Sequence, residues 1–118
     1  MPRVSERKLD PDIQEKSIKL LYHTIGELDS KTSRKVLKAL LTPEERLMLA
    51  KRISAILMIS AGYNYKQLDR ILKLVPVTTN KLKKQIKQNQ KIIRNLLTHL
   101  NEQEPVKEFY RKVKEKSL

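Results

Sequence analysis

Apolar residues recur at helical spacing along most of the chain. Ile18, Leu21, Ile25 and Leu28 follow at intervals of three, four and three, which predicts an amphipathic helix over Asp12 to Leu28, entered through Pro11. Val36, Leu37, Leu40 and Leu41 predict a second helix over Thr32 to Leu41, with Ser30 or Lys31 at the turn before it. The run Leu41-Thr42-Pro43-Glu44-Glu45-Arg46 is a helix start: Thr42 caps, Pro43 takes the first helical position and Glu45 completes a Thr-x-x-Glu box. This helix is expected to reach Ala61 and to stop at Gly62. Its second half, Ile53 to Ala61, carries no charge. A helix apolar all round is buried on every side. In a chain of 118 residues a second copy supplies those neighbours most easily. The expectation is a homodimer with Ile53, Ile56, Leu57 and Ile59 in its core.

The stretch from Gly62 to Lys87 predicts two short helices with a tight break. Asn64 is a good N-cap, and Gln67 stands three residues on, where it can reach back to the cap. Leu68, Ile71 and Leu72 make one buried face. Pro76 interrupts this helix and opens the next, because it lacks an N–H but suits the first helical position. Leu82 and Ile86 give the second helix its apolar stripe, and Thr79 is a polar residue where that helix should pack. The layout is that of a helix-turn-helix over about residues 64–87, whose second helix would enter a DNA major groove.

The second helix is expected to run on to Asn101 along Ile86, Ile93, Leu97 and Leu100, across a polar gap at Gln88, Asn89 and Gln90. Pro105 opens a last helix, Val106 to Lys116, with Val106, Phe109, Tyr110 and Val113 on one side, facing the core. The expected fold class is all-α, with about six helices per chain. Residues 1–10 are read as a basic arm carrying Arg3, Arg7 and Lys8, and residues 11–118 as one domain.

Charge changes this picture. Lys plus Arg is 26 against 13 Asp plus Glu, a formal net charge of +13. Such an excess points to a polyanionic partner. It is concentrated: Arg70, Lys73, Lys81, Lys83, Lys84, Lys87, Lys91 and Arg94 occur with no acid between Arg70 and Asn101. Chemistry narrows it further. Without Cys, and with two His and no glycine-rich phosphate loop, nothing is available for nucleophilic or acid–base work, so no enzyme, metal or cofactor is expected. His23 has no partner constellation and reads as a surface residue. The first residues lack the apolar stretch of a secretory signal. The longest uncharged run, Ile53 to Tyr65, is shorter than the roughly 18 residues of a membrane span. A cytoplasmic, nucleoid-associated protein without membrane contact is expected.

Several of these motifs together resemble a known family. Leu40-Leu41-Thr42-Pro43-Glu44-Glu45-Arg46, Leu49-Ala50-Lys51-Arg52, Gly62-Tyr63-Asn64-Tyr65 and Pro76-Val77-Thr78 are similar to the tryptophan-repressor-like regulators, over roughly residues 12–100. The resemblance implies an intertwined helical dimer that sets two reading heads on successive major grooves, roughly 34 Å apart. It implies DNA contacts from Lys66, Val77, Thr78 and Asn80, with Lys81 and Lys84 next to them, and the basic run adds Lys87. Asn could then read adenine, Lys guanine, and Val a thymine methyl.

It also implies an effector pocket from Thr42, Arg52, Thr78 and Lys81. There the sequence departs from the family. Lys81 stands where the tryptophan repressor has an Arg, and lacks its two-pronged grip on a carboxylate. Leu82 stands where that protein has a Gly and projects into the space an indole needs. Both argue against tryptophan as the effector and leave any effector unidentified. Val75, a poor cap, stands where relatives tend to carry Ser. Arg52 also reads as a partner for Glu45, or for an acid on the partner subunit, in an ion pair.

The leading expectation is a sequence-specific DNA-binding regulator. Two alternatives stay open. A basic helical protein associated with RNA or the ribosome would use the same charges, although no stacking aromatic falls between Lys66 and Leu100. A structural or interaction protein would carry the helix-turn-helix as a vestige.

Overall fold

The computed structural model describes residues 8–117, and among them it is all-α, with seven helices and no strand. The expected Arg3 and Arg7 of the basic arm lie outside the described residues. The helices are α1 (Pro11–Gly26), α2 (Ser30–Leu40), α3 (Pro43–Ser60), α4 (Tyr65–Leu72), α5 (Pro76–Gln88), α6 (Gln90–Leu100) and α7 (Glu104–Ser117). The chain forms two compact units, one ending at Leu49 and the other beginning at Ala50.

The first unit holds α1, α2 and the opening turns of α3. Ser30 and Lys31 lie in the first turn of α2 and not in a turn before it, and Asp29 caps the helix. Its carboxylate accepts from the Thr32 backbone N–H at 2.7 Å and from the Thr32 hydroxyl at 2.8 Å. The first of these bonds does most to hold the Asp29 carboxyl below its ordinary pKa of 3.8. The box at α3 forms as read: the Thr42 N–H donates to Glu45 Oε1 at 2.9 Å, and the Glu45 N–H to Thr42 Oγ1 at 3.2 Å. Arg46 adds a tie that periodicity does not reveal. Its guanidinium donates to the carbonyls of Lys38 at 3.1 Å and Leu41 at 2.9 Å, filling acceptors left open at the end of α2. Neither α1 nor α2 contains a buried residue.

All the buried residues among those described lie in the second unit. Ala55 and Met58 of α3, Leu68 of α4, Leu74 of the turn, Leu82 of α5 and Val113 of α7 form one cluster. Ile59, Tyr63, Ile71, Leu72 and Phe109 pack on its edge. The last helix therefore does pack on the core, as its stripe predicts. The Tyr110 hydroxyl fixes it there by donating to the Leu57 carbonyl at 2.9 Å.

One expectation is corrected. The helix after Pro76 does not run unbroken to Asn101, so there are seven helices instead of about six. It breaks at Asn89, whose backbone leaves the helical region at φ −123°, ψ 34°. The Asn89 side-chain amide donates to the Gln85 carbonyl at 2.9 Å. Asn competes in this way for backbone hydrogen bonds, and no apolar residue in the Gln88-Asn89-Gln90 gap holds the helix against a core.

Candidate nucleic-acid interface

The second unit presents α4 and α5 joined by Lys73, Leu74 and Val75. The start of α4 is locked by reciprocal bonds. The Gln67 N–H donates to Asn64 Oδ1 at 2.9 Å, and the Asn64 N–H donates to Gln67 Oε1 at 2.9 Å. The helix ends at Lys73, which adopts φ 58°, ψ 41° and is the one described non-glycine residue with positive φ. That left-handed turn redirects the chain and sends Leu74 back into the core. Pro76 then opens α5. Val75 precedes it in extended conformation with no side-chain cap, as its residue type implies.

The faces of α5 are set by its buried residues. Thr79 and Leu82 are buried, Ile86 is half-buried, and their spacing of three and four defines the inner face. Val77, Lys81, Lys84 and Gln88 follow at four, three and four, so they form a stripe on the opposite, exposed face. Thr78 lies on one flank. Asn80, Lys83 and Lys87 lie on the other. Lys66 is exposed in the first turn of α4. All seven residues expected to meet DNA are thus exposed, but only Val77, Lys81 and Lys84 share the outermost stripe.

The lysines of α5 form no ion pair among the described residues. The ion pairs among the described residues lie on α1 and α7, as Lys16 with Asp12 at 2.8 Å and Arg111 with Glu104 at 2.7 Å. His23 sits on α1, exposed, 4.0 Å from Glu27. Among the described residues no carboxylate pairs with Lys81, Lys84, Lys87, Lys91 or Arg94, and all five are exposed.

Sequence reasoning missed the link between the two helices. Tyr65, at the first position of α4, donates its hydroxyl to the Asn80 side-chain oxygen on α5. The ammonium of Lys83 sits 4.2 Å from the centre of the same ring. A cation over an aromatic face is held by the ring quadrupole. No periodicity signals this clasp. The one available clue is an exposed aromatic beside a helix cap in a chain with so few aromatics.

The remaining candidates fall elsewhere. Arg52, Thr78 and Lys81 are exposed, and the Thr42 hydroxyl is occupied in its capping box. Glu45 is likewise engaged with the Thr42 N–H and not in an ion pair with Arg52. None of the four lines the cleft of about 630 Å³ bounded by Gly62, Tyr63, Gln67, Leu97, Tyr110 and Lys114. Of the expected dimer residues, Leu57 is already covered within its own chain, Ile56 and Ile59 are half-buried, and Ile53 is 53% exposed. Among the described residues no cluster of His, Asp or Glu is placed to hold a metal, and no helix is long and apolar enough to cross a membrane. Comparison with protein-family models, curated proteins and solved structures gives no match.

Proposed function

We propose that this chain is a sequence-specific double-stranded-DNA-binding protein of regulatory role, acting as a homodimer through its helix-turn-helix. The observation that carries this reading is the outer stripe of α5. Val77, Lys81, Lys84 and Gln88 stand on a helix whose inner face is anchored by Leu82, and no acid neutralises the lysines. A rigidly backed helix with apolar, polar and cationic tips is what major-groove reading requires. The mechanism is non-catalytic. Lys81, Lys84, Lys87, Lys91 and Arg94 displace counterions and set affinity, while Val77, Thr78 and Asn80 select sequence.

The dimer rests on a separate observation. Ile18, Leu21 and Ile25 make a stripe on α1 that a single chain leaves exposed, and Ile92 of α6 is 70% exposed. Apolar side chains left in water in this way are costly, and a second copy is the simplest cover. Ile53, Ile56 and Ile59 of α3 supply the facing surface. This agrees with the intertwined dimer of the tryptophan-repressor-like proteins, whose motifs the sequence resembles.

The test is the salt dependence of duplex binding by Lys81→Ala/Lys84→Ala. Loss of two phosphate contacts per chain lowers the slope of log K against log salt by about 0.9 for each contact. An unchanged slope refutes the role of α5. Equal affinity of the wild type for RNA and for every duplex refutes sequence reading.

A further inference from the structure

We infer that Tyr65 is a specificity-positioning residue: it holds the Asn80 side-chain oxygen toward itself and thereby presents the Asn80 NH₂ as the reading end, which favours guanine over adenine. The inference rests on the DNA-binding reading above and deepens it.

An asparagine reads adenine with both ends of its amide. The oxygen accepts from the adenine N6 amino group while the NH₂ donates to N7. Asn80 is not free to do so. Its oxygen accepts the Tyr65 hydroxyl proton, and the amide plane is fixed by that bond. The NH₂ is then the end left to face a base. One lone pair of that oxygen stays open, but the bond turns the oxygen toward Tyr65, and the two N–H donors match the O6 and N7 acceptors of guanine. They match adenine poorly, because its N6 amino group would meet another donor.

Two further features make the arrangement fixed rather than incidental. Tyr65 stands at the first position of α4, directly after the reciprocal cap of Asn64 and Gln67, so its backbone is held. Lys83, three residues beyond Asn80 on the same flank of α5, places its ammonium over the Tyr65 ring. The ring is clasped from α5 at two points. Lys83 is correspondingly engaged with the ring, which separates it from the free lysines of the outer stripe.

Tyr65→Phe tests this cleanly, because it keeps the ring under Lys83 and removes only the hydroxyl. Wild type, Tyr65→Phe and Asn80→Ala are each taken through selection from a random duplex pool, and the salt slope of each is measured. The expected result is a guanine preference at one position of the wild-type half-site. In Tyr65→Phe it moves toward adenine by roughly tenfold. In Asn80→Ala the preference at that position is lost, and the salt slope is the same in all three. A Tyr65→Phe variant that enriches the same sites as the wild type, with the same preferences, overturns the inference and leaves the DNA-binding reading intact. A wild type that enriches no site overturns the DNA reading and this inference with it.

Discussion

The hydroxyl of Tyr110 donates to the carbonyl of Leu57 at 2.9 Å, joining the last helix to the helix that ends before the capping box of α4. The same carbonyl also accepts the Ala61 N–H at 3.1 Å. It therefore keeps one partner when the phenol is lost. Tyr110→Phe should lower unfolding free energy by about 1 kcal/mol, the net worth of one hydrogen bond.

The burial of Tyr110 also gives a pH dependence. Burial raises the Tyr110 pKa above its ordinary 10.0, with the neighbouring Tyr63 adding to the shift. The neutral phenol is the form the folded state favours. Its contribution is full below the unfolded pKa near 10 and is lost as pH rises through the higher folded value. Chemical denaturation followed from neutral pH to above the ordinary tyrosine pKa should show the wild type losing its advantage over Tyr110→Phe at the alkaline end. A constant difference would contradict the assignment.

Thr79 is fully buried on the inner face of α5, and its hydroxyl finds no partner among the described residues. Valine has the same shape without the unmet polar atom. Thr79→Val should raise stability by about 1 kcal/mol. A loss of stability in urea would mean that the hydroxyl has a partner in the assembled protein.

Lys73 holds a left-handed backbone at the turn between α4 and α5. Glycine adopts that conformation without the Cβ clash, although it gains entropy in the unfolded chain. Lys73→Gly should stabilise the protein by about 0.5–1 kcal/mol. A destabilised variant would show that the side chain, whose ammonium donates to the Arg70 carbonyl at 3.0 Å, matters more than the backbone.

The stripe on α1 bears on assembly. Leu21 is 49% exposed in the single chain, between Ile18 and Ile25. If a second copy covers it, Leu21→Asp places a charge in an apolar interface and should weaken dimerisation by several kcal/mol. Sedimentation equilibrium should show wild-type dimer and mutant monomer. A wild-type monomer at about 10 μM, well above the nanomolar range of stable associations, would refute the dimer.

Much of the fold is legible in the residues. Thr42 with Glu45 and Asn64 with Gln67 announce helix starts because capping is local chemistry, and both boxes form. The apolar stripe of α7 also points to the helix packing seen at Val113. What escapes sequence reading is long-range or competitive. The break at Asn89 depends on a side chain outbidding the backbone, which periodicity does not weigh. Arg46 reaches back eight residues to Lys38, and Tyr65 reaches forward fifteen to Asn80. For the candidate site, Leu82, Ile86 and Thr79 mark the inner face of α5 in the sequence, and the structure buries Thr79 and Leu82 as that spacing implies.

The most direct measurement is selection by the wild-type protein from a random double-stranded pool at about 0.15 M salt, with scrambled duplex and RNA as competitors. The account predicts an enriched palindrome whose half-site centres lie about one helical turn apart, retained against both competitors. Salt-sensitive retention of duplex, scrambled duplex and RNA alike, with no enriched site, would contradict it. The basic surface would then be a general polyanion-binding face.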